Sequence, residues 1–175
     1  MDHDANVIGA AFLLVADRIQ DAVEATIGRR GAQAAALTAL YGWANGHSID
    51  RLARGVGLSH SRTVRIVDAL VDSGLATRGT DPADRRQATV GLTAEGTAAA
   101  VEILRARQTV LDEVLASMPS DVRSSLARAC EAIVFDAIDG RDAARLACRL
   151  CDAEACGHHH GRCPSTRAAD RRPDR

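Results

Sequence analysis

The chain has 175 residues, 46% of them apolar, enough to bury one core and short for two full domains. A formal charge of −1 argues against a binder whose whole surface is basic, and 2% aromatics are too few for the stacking platforms of single-strand binders. No apolar run approaches the ~20 residues a membrane helix needs, and Met1-Asp2-His3-Asp4 lacks the basic start of a secretion signal, so a cytoplasmic protein is expected.

From Ala5 to Ile27, the residues Ile8, Phe12, Val15, Ile19, Val23 and Ile27 recur at three- and four-residue steps, the signature of an amphipathic helix. Gly31 separates it from a second helical stretch, Gln33 to Trp43, with Ala36, Leu37, Leu40 and Tyr41 in phase. Ser48 caps a short helix carrying Leu52 and Ala53, and Gly55 and Gly57 end it. Ser59 caps the next, whose apolar stripe is Val64, Val67, Leu70 and Val71. Its other face offers Ser61, Arg62 and Arg65, with His60 in the first turn, so side-chain donors stand where base edges are read and the N-terminus favours phosphate. After Gly74 and Leu75, the segments Ala76 to Thr80 and Gln87 to Thr93 flank the turn-rich Asp81-Pro82-Ala83-Asp84-Arg85-Arg86, a β-hairpin wing.

Two helices follow. Thr93 caps the first, along which Val101, Leu104, Val110, Leu111, Val114 and Leu115 lead to Met118. Pro119 starts the second, lined by Val122, Leu126, Ala129, Ile133, Val134 and Ala137 as far as Asp139-Gly140; Cys130 reads as a small packing residue on its apolar side. The outer helices carry more apolar surface than so small a domain covers, and a homodimer seam accounts for the excess. The order of elements is that of a winged helix-turn-helix on duplex DNA. Between residues 51 and 90 seven arginines face four aspartates, so positive charge is concentrated where the motif needs it. All 22 Lys+Arg residues are arginine, a bias that suggests a source genome rich in G and C.

Three segments resemble the MarR family of bacterial winged-helix repressors: Leu58-Ser59-His60-Ser61-Arg62-Thr63-Val64-Arg65-Ile66-Val67-Asp68-Ala69-Leu70 with Gly74-Leu75, then Asp81-Pro82-Ala83-Asp84-Arg85-Arg86, then Val90-Gly91-Leu92-Thr93-Ala94-Glu95-Gly96. The resemblance is sharp over residues 48 to 97, holds as helix pattern over 5 to 47 and 98 to 139, and does not reach the end of the chain. It implies a homodimer with helices from both chain ends at the interface, recognition helices in successive major grooves and wing arginines in flanking minor grooves. It maps Ser59, Ser61, Arg62, Thr63 and Arg65 onto the groove-facing helix, with His60 beside them, and Asp84, Arg85 and Arg86 onto the wing. It further implies that Asp68 braces a wing arginine, for which Arg86 is the choice, leaving Arg85 to reach the minor groove. Ala83 departs from the basic residue that many relatives carry in the wing.

The tail is a separate signal. Cys148, Cys151, Cys156 and Cys163 fall within sixteen residues as C-x2-C-x4-C-x6-C, beside His158, His159 and His160. A reducing compartment disfavours disulfides, whereas thiolates at such spacing suit a thiophilic metal. Zinc in a four-cysteine site is the first expectation, an iron–sulfur cluster ending in Cys163-Pro164 the alternative, and a metal-free thiol switch the third. The histidines are alternative ligands or a solvated patch.

The fold expected is mainly α with a small β-hairpin wing, a winged helix-turn-helix lobe plus a helical dimerisation region. Residues 5–30 form an N-terminal dimerisation helix, 31–97 the DNA-binding domain, 98–147 the C-terminal dimerisation helices, 148–164 a cysteine-rich metal-binding tail and 165–175 a disordered end. No G-x-S-x-G elbow, phosphate loop or His-Glu-x-x-His pair is present, so an enzyme is not expected. The function expected is a sequence-specific repressor acting as a homodimer on a palindromic operator under metal or redox control through the tail. The alternatives are a repressor released by a small aromatic effector with a structural metal site, and a winged-helix protein-interaction module.

Overall fold

The computed structural model describes residues 2–28, 31–81 and 87–171. Within them, helix α1 (His3–Ile27) is followed by α2 (Gly31–Ala39), a π-helical turn at Leu40–Ala44, strand β1 (His47–Ser48), α3 (Ile49–Val56), α4 (His60–Asp72), strands β2 (Ala76–Thr80) and β3 (Ala88–Leu92), α5 (Ala94–Ala116), α6 (Ser120–Ala137), α7 (Gly140–Ala147), a 3-10 turn at His158–His160 and α8 (Pro164–Arg171). The protein is mainly helical with one small antiparallel sheet, as the sequence implies. No described helix is long and apolar enough to cross a membrane.

The helix starts follow from side-chain capping. Ser48 Oγ accepts from Arg51 N at 3.4 Å, Ser59 Oγ from Arg62 N at 3.4 Å, and Thr93 Oγ1 from Gly96 N at 3.0 Å, each satisfying an otherwise orphaned donor for about 1 kcal/mol. Gly57, left-handed at φ 69°, turns the chain between α3 and α4. Gly55 does not end α3: it lies inside the helix and is buried, and a Cβ there would stand 2.2 Å from the Trp43 ring.

Strand order is β1-β3-β2. Ala76 pairs with Leu92 and Thr80 with Ala88, and beyond them Asp81 N donates to Gln87 O at 3.0 Å, closing the base of the wing. On the other edge of β3, His47 pairs with Val90. One core joins Val23 of α1, Leu37 and Leu40, Leu52 and Val56 of α3, Val67 and Leu70 of α4, Val90, and Ala100 and Ile103 of α5. On α4 the buried set is Thr63, Ile66, Val67 and Leu70, while Val64 and Val71 are half-buried, so the inward face is turned slightly from the stripe expected.

The segment after Cys163, expected to be disordered, is helical as far as Arg171. Ala168 and Ala169 of α8 are buried beside Ile138, with Phe135 packed on the same cluster. Arg167 and Arg171 lie over the Phe135 ring at 5.9 and 5.1 Å, and Arg141 pairs with Asp170 at 2.6 Å. Two small residues dock on a surface supplied by a distant helix, which composition alone does not show. The preceding α7, grouped by sequence with the dimerisation helices, packs on α3 and α8.

Candidate functional site

Helix α4 presents the polar face expected of a reading helix. Ser59, His60, Ser61, Arg62 and Arg65 are all exposed at its start, where free backbone N–H groups favour anions. His60 Nδ1 lies 2.6 Å from Asp50 Oδ1, tying α4 to α3, and Arg65 Nε donates to Ser61 O at 3.4 Å. Thr63 does not share this face. It is fully buried and its hydroxyl donates to Ser59 O at 3.0 Å, because it stands in phase with Ile66, Val67 and Leu70. It is removed from the groove-facing set and belongs to the packing of the helix.

Asp84, Arg85 and Arg86, the wing candidates, lie outside the described residues, as do Pro82 and Ala83. Among the described residues the partner of Asp68 is Arg78 on β2, whose Nη2 donates to Asp68 Oδ1 at 2.5 Å. This contact fixes β2 to α4; the sequence named Asp68 as one half of such a brace but chose Arg86 as the other, and Arg78, one of seven local arginines, was not singled out.

Two faces away from the sheet are apolar and open. On α1, Val7, Ile8, Phe12, Leu13 and Leu14 are exposed, the last two at 68% and 62%. Helix α6 buries no residue: Val122 and Ile133 are exposed and Cys130 is half-buried. Of the α1 stripe, Val23 alone is buried among the described side chains, Val15 and Ile19 are half-buried, and the side chain of Ile27 lies outside the description.

A cleft of about 1400 Å³ lies between α1, α4, α5 and the tail. Its apolar lining includes Ile19, Val23 and Leu150, and four arginines enter it: Arg62 and Arg65 from α4, Arg107 from α5 and Arg149 from the tail. Such a site suits an anion with an apolar body. Arg107 and Arg149 carried no signal in the sequence, since they come from segments with no motif.

The tail is folded against the winged-helix lobe. Thr38 Oγ1 donates to Arg149 O, Asp142 accepts from Arg145 at 2.7 Å and pairs with Arg54 of α3 at 3.3 Å, and the Arg145 guanidinium lies 5.1 Å from the Trp43 ring centroid. Leu150 packs on the main core. Behind these contacts is a second cavity, about 220 Å³, lined by Cys148, Cys151, Cys156 and Cys163 together with Trp43, His158 and Ser165. All four sequence-predicted ligands therefore meet around one space.

Their protons are shared unevenly. A hydrogen bond from Cys151 draws the Cys148 thiol down to about 6 against the pull of burial, with Ser165, Cys163 and the charge of His158 acting the same way. Cys151, as the donor, is pushed up, and burial adds to that shift. Cys156 is raised chiefly by burial and then by Cys163. All five cysteines are free thiols. As the side chains stand, no three His, Cys, Asp or Glu groups among the described residues are spaced to hold an ion. Of the histidines, His158 Nδ1 is bonded to Thr166 Oγ1 at 2.9 Å and His160 faces Glu154 at 3.7 Å; His159 stacks edge-on against His158.

Residues 27–87 match the MarR family. No match is found among the curated proteins. Among solved structures, the chain is similar to RV1404 from Mycobacterium tuberculosis, at 24% identity and a TM-score of 0.67, over 76% of this chain and 92% of that one. It is similar to CouR from Rhodococcus jostii bound to p-coumaroyl-CoA, at 23% identity and a TM-score of 0.58, over 75% and 92%. It is also similar to a mutant of MepR from S. aureus bound to an oligodeoxyribonucleotide, at 12% identity and a TM-score of 0.60, over 78% and 99%. At these identities the structures speak for the fold.

Proposed function

We propose that the chain, whose residues 27–87 match the MarR family, is a sequence-specific repressor working as a homodimer on a palindromic operator. The observation that carries this reading is the open, serine- and arginine-bearing start of α4, where Arg62 and Arg65 stand exposed near the helix N-terminus. Arginine reads guanine bidentately in the major groove, and the helix N-terminus orients on phosphate. The exposed apolar faces of α1 and α6 pair with those of a second copy, so that two recognition helices address two half-sites. Wing arginines 85 and 86 serve the flanking minor grooves. Control is exerted through the cysteine tail, whose metal or redox state sets how α7 and Arg149 rest on α3 and α2.

The test is selection of genomic fragments by the purified chain, followed by footprinting of the enriched sequence at several salt concentrations. A symmetric footprint about 20 base pairs across, occupied by two chains, is the result expected. A bound fragment without dyad symmetry, or binding that shows no sequence preference, overturns the reading.

The arginine-lined cleft favours a second mode of control, by an anionic effector with an aromatic body that lies between Arg107, Arg149 and the apolar wall of α1. The similarity to CouR, bound to p-coumaroyl-CoA, supports that class of ligand. Release of operator DNA by aromatic acyl thioesters, and not by the free thiol carrier, tests it.

A further inference from the structure

We propose that Cys148, Cys151, Cys156 and Cys163 ligate one zinc ion, and that this centre fastens the tail to the winged-helix lobe. This deepens the regulatory half of the reading above and rests on none of its DNA contacts.

The placement of the thiols is the first ground. They come from four points along sixteen residues, yet all line one cavity of about 220 Å³, and Cys163 is buried while the other three are half-buried. The second ground is what the segment lacks. Between the end of α7 and the start of α8 there is one 3-10 turn and no strand, and its one large apolar residue, Leu150, is committed to the main core. A stretch with no core of its own holds a fixed shape when a cross-link or a metal supplies the missing stability. The thiols are free, so no disulfide does so.

The third ground is the wall of the cavity. Thr38, Gly42 and Trp43 of the DNA-binding lobe form one side, and the Trp43 Nε1 proton is buried without a partner. Arg141 and Arg145, each paired with an aspartate, also line the space. As the side chains stand no three of the thiols are spaced to hold an ion, so binding draws them together around the space they line. Binding exchanges their protons for the cation: four thiols and one Zn²⁺ give a tetrahedral Zn(SR)₄ unit of charge −2 and four protons, with no change of oxidation state.

The full chain, expressed without a histidine tag and purified anaerobically, is analysed for metal and acid-labile sulfide. About one zinc per chain, colourless, is the result expected. Iron with sulfide and a visible spectrum overturns the zinc assignment in favour of a cluster. Absence of metal, with no uptake of Zn²⁺ or Co²⁺ by the reduced chain, overturns the site altogether. Cys151→Ser and Cys163→Ser are expected to lose the stoichiometric metal. Should they fail to fold, titration of the chelated natural chain with Co²⁺ still decides: thiolate-to-cobalt charge-transfer bands must saturate at about one equivalent. The single tryptophan, Trp43, beside the cavity should change its fluorescence over the same titration. For the fastening, trypsin should cut the chelated chain after Arg149 and Arg162 at least about tenfold faster than the zinc-loaded chain. Equal cleavage rates overturn that half of the proposal, and none of these readouts involves DNA.

Discussion

Arg78 on β2 donates to Asp68 on α4 at 2.5 Å, so the strand that leads into the wing is tied to the helix proposed to read the major groove. The pair is partly exposed, and pairs of this kind contribute about 1 kcal/mol or less to folding. Its larger effect is on orientation, since on the proposed reading α4 and the wing reach adjacent grooves together. Asp68→Ala should therefore leave the urea midpoint nearly unchanged while weakening operator binding by about 1 kcal/mol, roughly fivefold. Fluorescence anisotropy with operator DNA beside a urea titration checks this; equal losses in both would reduce the pair to ordinary packing.

The recognition face gives a contrast within three neighbouring residues. Arg62→Ala and Arg65→Ala should each cost ~1 to 3 kcal/mol of specific binding where they read a base, or lower the salt slope by about one where they hold a phosphate. Thr63→Val should do neither, because that hydroxyl is buried against Ser59 O. Its cost should appear in folding, at about 1 kcal/mol for the lost hydrogen bond.

The open apolar face of α1 makes a prediction about assembly. Leu13 and Leu14 are 68% and 62% exposed, so Leu13→Glu places a charge where a second copy would pack without disturbing the core of one chain. The helical circular dichroism of the natural chain should be retained while the sedimentation coefficient falls to that of a monomer. A variant that stays dimeric would show that the seam runs elsewhere.

Contact between tail and lobe can be loosened at one atom. Thr38 Oγ1 has one proton to share between Ala34 O within its own helix and Arg149 O in the tail, and Thr38→Val removes that donor at similar side-chain volume. The expected loss is about 1 to 2 kcal/mol, seen as a Tm lower by a few degrees. Faster tryptic cleavage after Arg149 separates loosening of the tail from weakening of the helix.

What could be read from the sequence was set by local chemistry. Ser48, Ser59 and Thr93 cap the helices they were expected to cap, because a hydroxyl and the donor it satisfies are three residues apart. The wing strands run from Ala76 and end at Leu92 because turn residues bound them. Strand β1 went unseen: two residues carry no periodicity, and its pairing depends on Val90, far along the chain. The inward turn of Thr63 was missed because its hydroxyl finds a carbonyl one turn back, which lets a polar residue occupy an apolar phase. Helix α8 was missed because alanine docking depends on what Ile138 and Phe135 offer. In the candidate site the cysteine spacing was plain, but the cleft arginines come from three separate elements and only the fold brings them together.

Cys151 belongs to the wall of both cavities, the small one with the other three tail cysteines and the large one with Arg62 and Arg65. A molecule that fills the large space and shifts this residue alters how tightly the small space retains its occupant. Equilibrium linkage makes the effect reciprocal and equal in factor. With zinc in the small space and an anionic effector in the large one, as proposed, scarcity of either would change the concentration of the other needed for a response.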